Sequence, residues 1–123
     1  MASELRVNTL KDAAGSNEVA MTYVANGTAK AWMQFDGSLN TVNESFATSS
    51  LTDNALGRWN ANLSNAFTND NFAHNVSSIA SSYNTSIDAG YVGASIASLR
   101  VRNDATTYND ADGCVLVCQG DLA

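Results

Sequence analysis

The side chain best suited to acid–base chemistry near neutral pH is the sole histidine, His74. A hydrolase would need a nucleophile beside it and a further group to orient it. The sequence around His74 contains no turn of the kind that presents a nucleophile. We therefore interpret His74 as a packing or surface residue of a strand and predict no catalytic residues. A small hydrolase stays open as an alternative, with His74 as its only standard base.

Two acidic stretches resemble fragments of a calcium-binding loop. They are Asp110-Ala111-Asp112-Gly113 and Asn69-Asp70-Asn71. The full pattern needs a third oxygen ligand before the glycine and a later glutamate, and both are missing. We predict plain turns, no metal site and no cofactor, and leave open whether an Asp-rich loop binds calcium.

The two cysteines, Cys114 and Cys118, fall on one face of a predicted strand. At that spacing they lie about 13 Å apart, whereas a disulfide needs Cα atoms within about 7 Å. We predict free, buried thiols that pack as small apolar side chains.

The arginines are the candidates for an anion site. Arg100 and Arg102 share one strand face, and Arg58 is a candidate neighbour. Solvated or salt-bridged arginines are the favoured alternative. The chain has a net charge of −6 with only six basic residues, so it lacks the basic patch that binds a phosphate backbone. We predict no nucleic-acid partner and no membrane insertion, since no apolar run approaches about 18 residues.

Three alternating segments must position these side chains. In the block at residues 30–37, Met33 and Phe35 face the core of a central strand and Trp32 faces a second surface. Packing is the favoured role of Trp32, and a sugar-stacking platform is the alternative. Residues 58–63 alternate Trp59 and further apolar residues with polar ones, and residues 114–119 form a closing strand.

The chain as a whole reads as about seven to nine short strands separated by turn signals. It is 45% hydrophobic and has no proline. We predict an all-β fold, an antiparallel β-sandwich or jelly roll over residues 18–123. Within it we expect a strand over residues 18–24 that forms a hairpin with the central strand through Asn26-Gly27, loops over 51–57, 64–71 and 81–90, and no amphipathic helix.

Residues 1–17 are predicted to form an extended N-terminal anchoring arm. Leu5, Val7 and Leu10 give it a small apolar stripe for anchoring or oligomer contact. The first seven residues lack the basic start and apolar stretch of a secretion signal, which favours assembly in a cytosol.

Several stretches resemble small virion proteins of marine tailed bacteriophages and the C-terminal domains of some of their tail fibres. The matching pieces are SELRVNTL at residues 3–10, KAWMQFDG at 30–37, LTDN at 51–54, and residues 67–73 and 114–120. The block at 30–37 is the most specific. The family pattern often has Gly-Thr-Gly after Asp-Asn, where this chain has Ala55-Leu56-Gly57.

The resemblance implies a β-rich, trimeric virion appendage without enzymatic activity, and it carries no catalytic residues to transfer. It does not separate a tail fibre, a head fibre and a capsid-decoration protein. The implied partners are two further copies of the chain and other virion proteins, such as the capsid, the portal or tail, or a fibre adaptor. The implied location is the virion, assembled in the host cytoplasm.

The main alternative is a carbohydrate- or receptor-binding module at a fibre tip, with a host surface glycan as partner. It needs exposed aromatic side chains beside Asn and Asp groups. The candidates for glycan contact or for the trimer interface are Trp32, Trp59 and Tyr91, with Tyr83 and Tyr108 as further glycan candidates.

Overall fold

A computed structural model describes residues 3–79, 83–86, 92–103 and 107–123. Its elements in chain order are β1 (Thr9–Lys11), β2 (Glu18–Ala20), α1 (Met21–Gly27), β3 (Ala29–Asp36), β4 (Thr41–Phe46), β5 (Thr48–Ala55), β6 (Arg58–Leu63), β7 (Ala73–Ser78), β8 (Tyr83–Ser86), β9 (Ile96–Asn103), β10 (Thr107–Tyr108) and β11 (Cys114–Gln119). The pairings within these ranges are antiparallel. The predicted all-β class is confirmed. None of these ranges holds a helix long and apolar enough to cross a membrane.

Two sheets form the sandwich. The first has the strand order β4-β3-β11-β7, and the second has the order β5-β6-β9-β10 with β8 also paired to β9. Phe35 of the first sheet meets Trp59 of the second edge to face, with ring centroids 5.5 Å apart. The inner faces of the sheets therefore pack directly on one another, as predicted for a β-sandwich.

The core follows from the period-two alternation of the strands. Its strand residues are Ala31, Met33 and Phe35 of β3, Trp59, Ala61 and Leu63 of β6, Ala97, Leu99 and Val101 of β9, and Cys114, Leu116 and Cys118 of β11. β3 lies between β4 and β11, so its prediction as a central strand is confirmed. The prediction of free, buried cysteines is also confirmed.

A one-residue corner carries the chain from the first sheet to the second. Ala47 stands between β4 and β5 with φ 53°. This left-handed conformation costs an alanine about 1 kcal/mol or more. Packing of Ala47 against the core contributes to offsetting that strain.

The N-terminal segment differs from the prediction. The expected strand over residues 18–24 ends at Ala20 and is followed by helix α1, and β2 pairs with β1 rather than with β3. Thr28 closes the last helical turn, because its backbone N–H and its hydroxyl both donate to the Val24 carbonyl. The expected hairpin through Asn26-Gly27 and the absence of a helix were therefore wrong. Residues 9–20 fold back as a hairpin rather than as an extended arm.

Two of the expected loops are partly strand. Most of the expected loop at residues 51–57 belongs to β5, since its polar residues pair with β6. Part of the expected loop over residues 81–90 is strand β8. β7 ends at Ser78 and keeps a regular register with β11.

Candidate functional site

An apolar patch lies on the outer face of the first sheet. Phe46, Trp32, Val115 and Val117 form this outer apolar patch, with Trp32 paired opposite both Phe46 and Val117. Phe46 is 55% exposed, and the other three are half-buried. Aromatic residues that share a face with β-branched ones are typical of a contact surface between proteins. The sequence located Trp32 on a second surface but did not identify its neighbours.

Trp59 corrects one predicted site residue. Its side chain is 1% exposed and lies in the core between the sheets. Its indole N–H donates to Asn40 Oδ1 at 2.8 Å, which satisfies the ring's single donor. Trp59 is therefore neither a glycan contact nor a residue of a trimer interface. The predictions for Tyr91 and for the side chain of Tyr83 lie outside the described residues.

The three predicted anchor residues are accessible. Leu5 is 80% exposed, Leu10 42% and Val7 37%. Leu10 pairs with Val19, which is 38% exposed, across the hairpin of β1 and β2. The structure thus leaves exposed apolar side chains on the N-terminal hairpin and on the residues that precede it, and their role as an anchor stays a prediction.

A cluster of arginines and a tyrosine occupies the outer face of the second sheet. Arg58 and Arg100 stand directly opposite one another in β6 and β9, and Tyr108 of β10 pairs with Arg102. The sequence analysis named the three arginines as an anion site and Tyr108 only as a glycan candidate, and it did not link them, because Tyr108 is 50 residues from Arg58 along the chain. We call these four residues the arginine–tyrosine cluster.

Hydrogen bonds define the electrostatics of this cluster. The Tyr108 hydroxyl accepts from Arg58 and, at 2.7 Å, from Arg102. Each guanidinium also lies over the tyrosine ring, with the Cζ atoms of Arg58 and Arg102 at 4.3 and 4.6 Å from the centroid. These donors, Arg58 first, lower the pKa of Tyr108 from 10.0 to about 8. The cluster suits anion binding or a purely structural network, and both alternatives stay open.

A cleft opens where β11, the segment before β7 and the end of α1 meet. Its volume is about 340 Å³, within the range of small-molecule sites. We call it the amide cleft, after its polar lining residues Asn26, Thr68, Asn69, Asn71, Gln119 and Asp121. Its floor is a stacked pair of rings, Phe67 and Phe72, with centroids 4.2 Å apart.

Backbone contacts fix the walls of the amide cleft. The Thr68 N–H and hydroxyl both donate to the Asp121 carbonyl, at 2.9 and 3.2 Å. The Asn71 N–H donates to Asn69 Oδ1 at 2.8 Å, which shapes the rim as an Asx turn. Gly120 adopts φ 155°, and a Cβ there would lie 3.0 Å from the Phe72 Cβ. Sequence reasoning interpreted this segment as a plain turn, although its run of Thr, Asn and Asp was an available signal.

His74 and the cysteines lie on the inner face of the first sheet. The His74 ring packs 5.1 Å from the Phe72 ring, and burial lowers its pKa. Burial, as the first cause, also raises the pKa of the Cys114 and Cys118 thiols to about 12. These environments suit packing more than proton transfer or nucleophilic attack.

The acidic stretch at residues 110–113 holds together separate parts of the sandwich. Asp110 Oδ1 accepts from the Gly57 N–H at 2.7 Å, and Asp112 Oδ1 accepts from the Ser38 hydroxyl at 2.7 Å. Both carboxylates thus join separate turns of the sandwich. Among the described residues, no group of three or more His, Cys, Asp or Glu side chains is placed to hold a metal ion.

Comparisons with protein-family models, with curated proteins and with solved structures found no match to this chain.

Proposed function

We propose that this chain is a non-enzymatic structural subunit of a bacteriophage virion, a trimeric fibre or capsid-decoration protein. The observation that carries the proposal is the outer apolar patch. It places Trp32 of the central strand β3 opposite the 55% exposed Phe46 of the edge strand β4. Burial of such side chains against a second copy would stabilise an oligomer, by roughly 25 cal/mol for each Å² removed from water.

The N-terminal hairpin is the proposed anchor on the particle. Leu5, Val7 and Leu10 would dock on another virion protein, such as the capsid, the tail or a fibre adaptor. The exposure of this stripe supports the assignment, as does helix α1, which has no buried residue. The patch would then form the contacts between copies of the chain. The hairpin would bind the chain to the virion during assembly in the host cytoplasm.

The molar mass in solution tests the role of the patch. We expect light scattering to give about three times the 12.9 kDa of the chain, and we expect Phe46→Ser to give the monomer, because a hydroxymethyl group removes most of the apolar contact. Leu56→Ser is the matched control. Leu56 is 58% exposed and lies in the turn between β5 and β6, away from the patch. A wild-type monomer at every concentration, or equal effects of the two variants, would contradict the proposal.

Particle binding tests the role of the hairpin. Purified protein should sediment with virions that lack it, and the double substitution Leu5→Asp and Leu10→Asp should abolish this while the oligomer persists. Tyr23→Asp is the control, because Tyr23 is 76% exposed but lies on α1 rather than on the stripe. Full binding by the double variant would show that the anchor lies elsewhere.

A carbohydrate- or receptor-binding module at a fibre tip is the alternative function. Among the described aromatic candidates, Trp32 lies on the patch and Tyr108 in the arginine–tyrosine cluster. The observation that favours this alternative is instead the amide cleft, which none of the predicted aromatic residues lines.

A further inference from the structure

Three polar side chains of the amide cleft are available to a ligand. Asn26, Asn71 and Asp121 line it, and none of their side chains hydrogen-bonds to another residue in the described part of the chain. They come from three separate segments, α1, the loop before β7, and the residues after β11. Hydrogen-bonding groups that converge on one concavity are the usual composition of a binding site.

The cleft is preorganised by its surroundings. The 66–68 segment is tied to the 121–123 segment by the Thr68 N–H to Asp121 bond and by the Ala123 N–H to Ala66 bond at 3.0 Å. Gln119 Nε2 donates to the Gly27 carbonyl at 2.8 Å, which holds the end of α1 against β11. The residues that contact a ligand would therefore already be in position, and less entropy would be lost in ordering them when the ligand binds.

The chemistry of the lining selects the class of ligand. Amide groups both donate and accept hydrogen bonds, and a carboxylate accepts two or more, a combination that matches neighbouring hydroxyl groups. The lining has one carboxylate, Asp121, and no Lys or Arg, and the chain carries a net charge of −6. Anionic ligands are therefore disfavoured. The stacked Phe67 and Phe72 beneath are buried, at 2% and 9% exposed, so they close the bottom of the cleft and leave the contacts with a ligand to the polar side chains above them.

We propose that the amide cleft binds a neutral saccharide, held by the side chains of Asn26, Asn71 and Asp121 over the floor formed by Phe67 and Phe72. This proposal does not depend on a virion role or on oligomer formation. It requires a surface distinct from the outer apolar patch, so the two proposals fail in different experiments.

Amide chemical shifts of the ¹⁵N-labelled full chain test the location and the ligand class. The probes are galactose, mannose and N-acetylglucosamine, with glucuronic acid as the anionic comparison. We expect at least one neutral sugar to shift the amides of residues 67–73 and 119–121, and glucuronic acid to bind more weakly than that sugar. The proposal is wrong if no neutral sugar causes shifts, if the shifts lie on the outer apolar patch, or if glucuronic acid binds more tightly.

Variants test the named side chains. Asn71→Ala and Asp121→Ala should each weaken binding of the responsive sugar by about tenfold, the effect of one lost hydrogen bond. Asn43→Ala is the matched control, because Asn43 is an exposed amide on β4 that does not line the cleft. Both cleft residues are exposed, so thermal unfolding midpoints should match the wild type, and Asn26→Ala serves as an independent third variant. Unchanged affinity in folded Asn71→Ala and Asp121→Ala would overturn the assignment.

Discussion

The two outer faces of the sandwich differ although the same alternation produces both. On the first sheet, the outward positions of β3 and β11 hold Trp32, Val115 and Val117. On the second sheet, the corresponding positions of β6 and β9 hold Arg58 and Arg100. The inner faces, in contrast, are alike, because each contributes large apolar side chains to the one core.

This difference shows which apolar side chains the sandwich needs in order to fold and which it does not. The core requires only that one face of each strand be apolar, and both sheets meet that requirement. The polar outer face forms hydrogen bonds among its own side chains, as when Tyr108 accepts from two arginines. The apolar side chains on the other outer face form no hydrogen bonds of this kind in the described part of the chain.

The two tryptophans give the largest expected effect. Trp59→Ala should lower the free energy of unfolding by about 3–5 kcal/mol, because it empties the core position of a large, fully buried ring. Trp32→Ala should lower it by about 1 kcal/mol, since Trp32 is half-buried on the outer face. Denaturant unfolding followed by circular dichroism would measure both.

Protein concentration must be held constant in that comparison, because subunit association would add to the apparent stability. A monomeric background such as Phe46→Ser removes this contribution altogether. Equal losses for the two tryptophan variants in that background would show that packing does not distinguish the core from the outer face of the first sheet.

Substitution of Asn40 should have the next largest effect on the free energy of unfolding, because its side chain joins the turn after β3 to the second sheet. Its side chain accepts from Trp59 Nε1 and donates to Asp53 Oδ2, both at 2.8 Å, and its φ is 52°. Asn40→Ala should cost about 2–3 kcal/mol, from two lost hydrogen bonds and a strained left-handed alanine. Asn40→Gly should cost about 1 kcal/mol less, since glycine tolerates this φ.

The same unfolding measurement separates these contributions. Asn43→Ala is the control, with an expected change within about 0.5 kcal/mol for an exposed amide on β4. If Asn40→Gly destabilises as much as Asn40→Ala, backbone strain contributes nothing and the hydrogen bonds account for the whole effect.

The sequence predicted the strands whose side chains alternate in size. β3, β6 and β11 each place apolar residues at every second position, so their existence and their buried faces followed from period two alone. Most of β5 was predicted as a loop, because Thr52, Asp53 and Asn54 resemble loop residues. They form a strand because their backbone pairs with β6, and local composition does not report that pairing.

The sites were less predictable than the strands, for a physical reason. The alternation placed Trp59 with the apolar residues of its strand and Trp32 opposite the core face of β3, but it did not show that Phe35 is the partner of Trp59 across the core. The amide cleft joins residues near 26, 70 and 120, and the arginine–tyrosine cluster joins β6, β9 and β10. Such groupings arise from strand order, which the pattern of a single segment does not contain.

The smallest expected effect concerns the polar outer face and is a shift in titration. Because Arg58 and then Arg102 donate to it, Tyr108 should lose its proton with a pKa of about 8, against about 10 in the unfolded chain. Between these values the folded chain holds a phenolate while the unfolded chain keeps the phenol protonated. This residue's contribution to stability therefore rises with pH across that window and is lost as the pH falls through 8.

Phenolate absorbance would measure this titration. The chain has four tyrosines, so the difference between wild type and Tyr108→Phe isolates one of them. Arg58→Gln should return the pKa of Tyr108 toward 10, and Arg102→Gln should raise it by a smaller amount. Arg6→Gln should leave the pKa of Tyr108 unchanged, because Arg6 pairs with Glu4 far along the chain. If Tyr108→Phe instead removes a titration near 10, the cluster does not hold charge as its geometry indicates. The contrast between the two outer faces would then rest on the apolar patch alone.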